Sequence, residues 1–284
     1  MCPVAGIRRG VIFTEPVCGP SLVDLLLLRP GDTRELLAAP FAELAPLHRP
    51  GAARRLGPSG IIAERSIPGT FLRKFNGLSG ATYVDQLGAD RCEPDAREEL
   101  VELVRRSVDR LRRLRLSLPS ADVPTLAYGD LKPEHVIFPD GTGARPVLLD
   151  PGLLRASPMA DLAKLVSRTV LSLAAHRPGH TTTARIVDGM AAFAEQRAQM
   201  FAGRERRLWL WDLLALWLMD TVNILSTYLS APSGLPLPRL GAALVERALP
   251  VCRLVDVVSA DLTDRSAWRR SWHQALACAE QVAA

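Results

Sequence analysis

The chain has 284 residues, of which 48% are apolar and 23% charged, an ordinary globular balance that excludes disorder, collagen and coiled coil as global descriptions. Its 35 basic residues against 30 acidic ones leave a net charge of +5, which suits an anionic ligand but falls short of a dedicated nucleic-acid binder. Cys2, Cys18, Cys92, Cys252 and Cys278 are odd in number and scattered, with no C-x-x-C pair, so zinc, redox and disulfide frameworks are not indicated and a reducing, cytoplasmic setting is expected.

The opening MCPVAGIRRGVIF lacks the apolar stretch of a signal peptide, and the most apolar segment, Leu208 to Leu229, is broken by Asp212, Asp220 and Asn223. Neither export nor membrane insertion is expected. VIFTEP from Val11 reads as a strand, VCGP as a break and SLVDLLLL as a helix. A helical piece, FAELAPLHRPG, follows Pro40 and is stopped by Pro50-Gly51, whereas Gly57 to Gly80 is turn-rich and reads as loop. Asp95 and Glu98 form a capping-box pattern, and Leu100, Val104, Val108, Leu111 and Leu114 recur at helical spacing through Arg115. Arg105, Arg106, Arg110, Arg112, Arg113 and Arg115 of this helix lie mostly off its apolar stripe and read as a solvated face.

TLAYGDLKPEHVIFPDGTGARPVLLDPG reads as a loop, a strand HVIF, a turn and a strand PVLLD, a hairpin with acids at its edges. From Pro158 onward the pattern is helical: MADLAKLVSRTVLSLAA, a run from about Ala184 to Met200, a Trp-rich run from Arg206 to Tyr228, and two helices after Pro238. Trp209, Trp211 and Trp217 read as core. His48, His176, His180 and His273 have no metal-ligand spacing.

Asp130 precedes His135 by five residues and Asp150 by 20, so a loop acid, a second polar ligand and a strand-end acid converge once the hairpin folds back. Phosphoryl transfer needs such a set: a carboxylate to orient the attacking hydroxyl, and ligands for the metal on the nucleotide phosphates. Here YGDLKPEH resembles the protein-kinase catalytic loop H-R-D-L-K-P-x-N. The glycine before Asp130, the helix opening ADLAKL, the hinge-like VIFTEPVCGPSL and PLHRPG are more similar to the aminoglycoside phosphotransferase family. The resemblance covers about Val11 to Thr169 in recognisable motifs.

The resemblance implies an α+β fold: a protein-kinase-like large lobe, mostly helical with a catalytic β-hairpin, its small lobe absent or rudimentary. Residues 1–20 would be a hinge-like strand and linker, and 21–284 the C-terminal lobe, with the catalytic hairpin at 126–152 and a helical subdomain at 158–284. It makes Asp130 the catalytic base, Lys132 a contact to the transferring phosphate or the substrate, His135 and Asp150 metal ligands, Asp161 the acid bracing the catalytic loop, and Glu15 and Val17 the nucleotide-binding hinge positions.

The implied cofactors are ATP and Mg²⁺, with Mn²⁺ favoured by an imidazole at His135 where the family pattern has Asn. The implied acceptor is a hydroxyl of a small molecule or of Ser/Thr in a natural-product precursor peptide. No G-x-G-x-x-G occurs, and only Lys74, Lys132 and Lys164 are lysines. A partner protein is therefore expected to complete the site, or else the chain is a pseudokinase-like binding or docking subunit without its own catalysis. Arg73, Lys74, Asn76 and Tyr83 are candidates for an acceptor surface.

Overall fold

The computed structural model describes residues 4–9, 11–55, 66–116, 125–143 and 145–283. The chain starts with an antiparallel hairpin, β1 (Val4–Arg8) on β2 (Val11–Thr14), with Arg8 opposite Val11. The stretch expected to hold one hinge strand therefore holds two. The break at Val17 to Pro20 leads into α1 (Leu22–Leu28), whose start is fixed by Ser21: its Oγ accepts from Asp24 N at 3.2 Å while the Asp24 carboxylate accepts from Ser21 N at 2.8 Å.

α2 (Thr33–Leu44) begins well before Pro40, where the sequence reading started it. Pro40 lies inside the helix and is buried, because the faces carrying Leu36, Leu37, Phe41 and Leu44 are buried too and packing outweighs the lost backbone bond.

The expected loop over Gly57 to Gly80 is corrected in its described part, since α3 (Ile67–Phe75) and α4 (Gly77–Asp85) occupy it; residues 57–65 lie outside the described residues. Ser66 Oγ accepts from Gly69 N at 3.1 Å to start α3, and Phe71 and Phe75 are fully buried with ring centroids 5.0 Å apart. The α3–α4 corner is tight: a Cβ on Gly80 would stand 2.3 Å from the Phe75 carbonyl carbon, so only glycine fits there.

α5 (Pro94–Arg113) starts at a proline behind Glu93 without a side-chain cap. The expected Asp95–Glu98 box does not form, because Asp95 is already in the first turn, where its charge suits the helix dipole. Its arginines are not merely solvated: Arg106 and Arg110 both pair with Asp256 of α10, at 2.9 and 2.8 Å.

The hairpin region is a pair of nested antiparallel ladders. β4 (Val136–Ile137) pairs with β5 (Val147–Leu148), and outside them β3 (Leu126–Ala127) pairs with β6 (Leu154–Arg155). A further bridge joins Ser21 to Ile137, and Phe138 N donates to Pro20 O at 3.0 Å, so the segment before α1 docks on the end of β4. Gly19 (φ +140°) permits this approach, as a Cβ there would lie 2.6 Å from Phe138 O.

The rest is helical: α6 (Met159–His176), α7 (His180–Ala198), α8 (Gly203–Leu229), α9 (Arg239–Glu246), α10 (Ala248–Asp261) and α11 (Trp268–Ala283). Three helices rather than the expected two follow Pro238, because the chain bends at Arg247 and again where the Asp264 carboxylate accepts from Ser266 N. The whole is an α+β molecule dominated by helices, and among the described residues the strands form only short two-stranded ladders.

At its centre α8 packs against α3, α6, α7, α9, α10 and α11. Among the described residues it is the one helix long and apolar enough to cross a membrane, and 83% of that apolar window is buried within the fold, which makes it the core helix. Trp211 and Trp217 belong to that core, and Trp209 packs against it partly buried.

Candidate functional site

The site grows from the loop between β3 and β4 and the turn between β5 and β6. Tyr128 at the end of β3 is buried, and Gly129 (φ +85°) then turns the chain; a Cβ on it would stand 2.2 Å from Gly152 O, so two backbones meet there at glycine distance. Gly152 N donates to Tyr128 O at 2.9 Å and Leu149 N to His135 O at 2.9 Å. These bonds fasten the Asp150 turn to the Asp130 loop. Asp150 itself sits in the left-handed region at φ +58°, a conformation that favours glycine and that a non-glycine residue holds only where the surroundings enforce it.

The result is a cluster of Asp130, His135 and Asp150, each offering one ligand atom, with these atoms all within 4.8 Å of one another. Two carboxylates and an imidazole at that spacing fit a divalent cation, and the imidazole tilts the donor set from Mg²⁺ toward Mn²⁺. His135 Nδ1 and Glu134 Oε2 are buried and without a hydrogen-bond partner. Buried polar atoms are rarely left so, and His135 is one of the cluster's three residues.

Two of the three lysines in the chain converge on Asp130. Lys132 Nζ is 2.7 Å from its Oδ2 and Lys164 Nζ 3.5 Å from its Oδ1. Burial pushes the Asp130 carboxyl up, but the bond from Lys132 and the charges of Lys164 and Arg168 outweigh it and leave it below the usual carboxylate range. Asp130 is therefore anionic at neutral pH. Arg168 is buried and pairs with Asp220 of α8 at 3.0 Å; burial opposes its charge, and Asp220, then Asp130 and Glu134, more than restore it.

Asp161, in the first turn of α6, is fully buried. Its Oδ2 accepts from Tyr128 N at 2.7 Å and its Oδ1 from Gly129 N at 2.8 Å, while His48 Nε2 reaches Oδ2 at 2.9 Å. One carboxylate thus clamps the backbone immediately before Asp130 and ties it to the segment following α2.

The structure brings together Asp130, Lys132, His135 and Asp150, with Asp161 bracing the loop, as their sequence pattern suggests. Glu15 and Val17 lie on the segment between β2 and α1, and neither belongs to the cluster. Of the suggested acceptor group, Arg73 is exposed on α3, while the other three side chains are engaged within the fold. Lys74 Nζ donates to Asn223 O at 2.8 Å and Thr227 Oγ1 at 2.9 Å, Tyr83 OH donates to Ser226 O at 2.9 Å, and Asn76 Oδ1 accepts from Arg112 at 3.1 Å. These side chains lock α3 and α4 onto α8 and α5 instead of facing an open site, and burial pulls the Lys74 ammonium down to about 8.

Sequence reasoning missed three contributors. Lys164 and Arg168 follow Asp161 at helical spacing on one face of α6, a signal present in the chain, whereas His48 meets Asp161 across 113 residues with no local cue. No family model, curated protein or solved structure matches this chain.

Proposed function

We propose that the chain is an ATP-dependent phosphotransferase of the aminoglycoside-phosphotransferase type, with a protein-kinase-like large lobe, acting on a hydroxyl of a small molecule or of Ser/Thr in a precursor peptide. The observation that carries this reading is the convergence of Asp130, His135 and Asp150 within 4.8 Å, with Lys132 and Lys164 on the same carboxylate. That set offers a base, two cations and metal ligands, and a partner protein would supply the phosphate-enclosing loop that the sequence lacks.

In the proposed reaction the acceptor oxygen attacks the γ-phosphorus of ATP, the bond from that phosphorus to the β,γ-bridging oxygen breaks, and ADP leaves with the electron pair. The hydroxyl proton passes to Asp130. A carboxylate of low proton affinity orients the hydroxyl in the ground state and accepts the proton late, once the new P–O bond is forming. Lys132 and Lys164, both paired with Asp130, would exchange it for a phosphoryl oxygen, freeing the carboxylate and neutralising developing charge. Asp150 and His135 would hold Mg²⁺ or Mn²⁺, which supplies charge neutralisation on the nucleotide phosphates. Glu15 and Val17 are proposed to meet the adenine.

The test is phosphate transfer from ATP to a panel of aminoglycosides, simple alcohols and Ser/Thr peptides, read by mass. Asp130→Asn should lower transfer by about 10²-fold or more. Undiminished single-turnover transfer by this variant would remove Asp130 from the mechanism. A second reading, a nucleotide-binding subunit without catalysis, draws on the fact that both Asp130 oxygens already face a lysine. It predicts metal-dependent nucleotide binding with no transfer to any acceptor.

A further inference from the structure

The first turns of α8 and the start of α11 border a cavity of about 410 Å³, outside the site described above. At about 1.5 Å rise per residue, ~24 Å of helix separates Arg204 from Asp220, the α8 residue that pairs with Arg168. Its walls carry Arg204, Arg207, Arg265, Ser266, Trp211 and Trp268, and among the described residues no carboxylate lines it.

The arginines are not equivalent. Arg265 is committed: its guanidinium lies 4.6 Å from the Trp211 ring centroid and it donates to Arg115 O. Trp211 is in turn fixed by its Nε1 donating to Leu262 O at 3.3 Å, so this wall is rigid. Arg204 and Arg207, three apart on one face of α8, have no ion pair or hydrogen bond among the described residues. The nearest acid of the α11 approach, Asp264, is engaged by Ser266 N at 2.8 Å and Ser266 Oγ at 2.6 Å and does not neutralise them. Two uncommitted guanidiniums beside an indole wall, at the positive end of a 27-residue helix, have room for much more than a bare ion.

We propose that this cavity binds a phosphomonoester carried on a flat ring, with Arg204 and Arg207 taking the phosphate dianion in fork geometry and Trp268 flanking the ring. Two permanent positive charges with no carboxylate among the lining residues match a dianion better than a carboxylate, although Glu205 stands in the same turn of α8, and the part-buried Trp268, whose ring Arg269 meets at 5.5 Å, favours an aryl or heterocyclic body over inorganic phosphate. The inference is independent of the phosphotransferase reading.

Phenyl phosphate titrated into the full chain in metal-free buffer of constant ionic strength tests it, with tryptophan fluorescence as the readout, since Trp211 and Trp268 line the cavity. The expected result is saturable binding that is about 10-fold tighter than that of inorganic phosphate or benzoate. Arg204→Gln/Arg207→Gln should weaken it by about 10-fold or more, and Lys132→Gln, at the Asp130 cluster, should leave it unchanged. Both arginines are exposed and unpaired, so the double variant should fold; its far-ultraviolet dichroism checks this. No saturation at millimolar phenyl phosphate, equal affinity in the double variant, or loss of binding in Lys132→Gln would each overturn the proposal.

Discussion

Asp161 holds two backbone N–H groups and His48 with one buried carboxylate, so replacing it leaves donors stranded where water does not reach. Asp161→Ala should cost about 3 kcal/mol or more in denaturant unfolding, since two buried donors lose a charged acceptor at once. Asp161→Asn keeps one acceptor oxygen and should cost less; equal losses would show that the carboxylate does not act through these bonds. Gly129→Ala places a methyl against Gly152 O at a residue that already needs positive φ, so folding yield should collapse or the Asp130–Asp150 geometry should open. The acids of this region were legible in the sequence because they are strung along one loop, hairpin and helix start. His48 was not, because its role exists only once α2 is packed in place.

Helix α6 presents Asp161, Lys164 and Arg168 on one face toward the loop and buries most of its remaining side chains, so it transmits the position of the core to the site. Helix α8 supports it. Trp217 is fully buried, and Trp217→Ala should cost about 3 to 5 kcal/mol, a large share of a domain's stability, measured by chemical denaturation. Lys74 on α3 gives a pH signature. Between about pH 8 and the ordinary 10.5 the unfolded chain binds a proton that the folded chain has released, so stability rises with pH across that window. Lys74→Met should abolish the rise; a wild-type midpoint flat between pH 8 and 10 would contradict the buried amine.

The long periodic helices α5, α6 and α8 could be read from sequence because their apolar residues recur over several turns. Helices α3 and α4 could not. They are nine residues each and carry three glycines between them, and burial of Phe71 and Phe75 in α3 and of Val84 in α4 outweighs propensity.

At the scale of the molecule, a helical body centred on α8 carries two short ladders on one side, and the ladders carry the acids. The segment after β2 reaches those ladders through the Ser21–Ile137 bridge and the Phe138–Pro20 bond, so residues Pro20 and Ser21 are anchored on the strand that follows His135. The donor set makes the metal preference testable: His135→Asn should lower the ratio of Mn²⁺-supported to Mg²⁺-supported transfer, and an unchanged ratio would leave His135 a loop residue only.

The central claim is that His135 and Asp150, beside the base Asp130, form a metal–nucleotide centre. Mn²⁺ uptake followed by electron paramagnetic resonance, with and without ATP, addresses it before any acceptor is known. The account predicts that ATP tightens Mn²⁺ uptake by the wild-type chain and that Asp150→Asn weakens it by about 10-fold or more. Uptake that ignores ATP, or that persists unchanged in Asp150→Asn combined with His135→Ala, would contradict it.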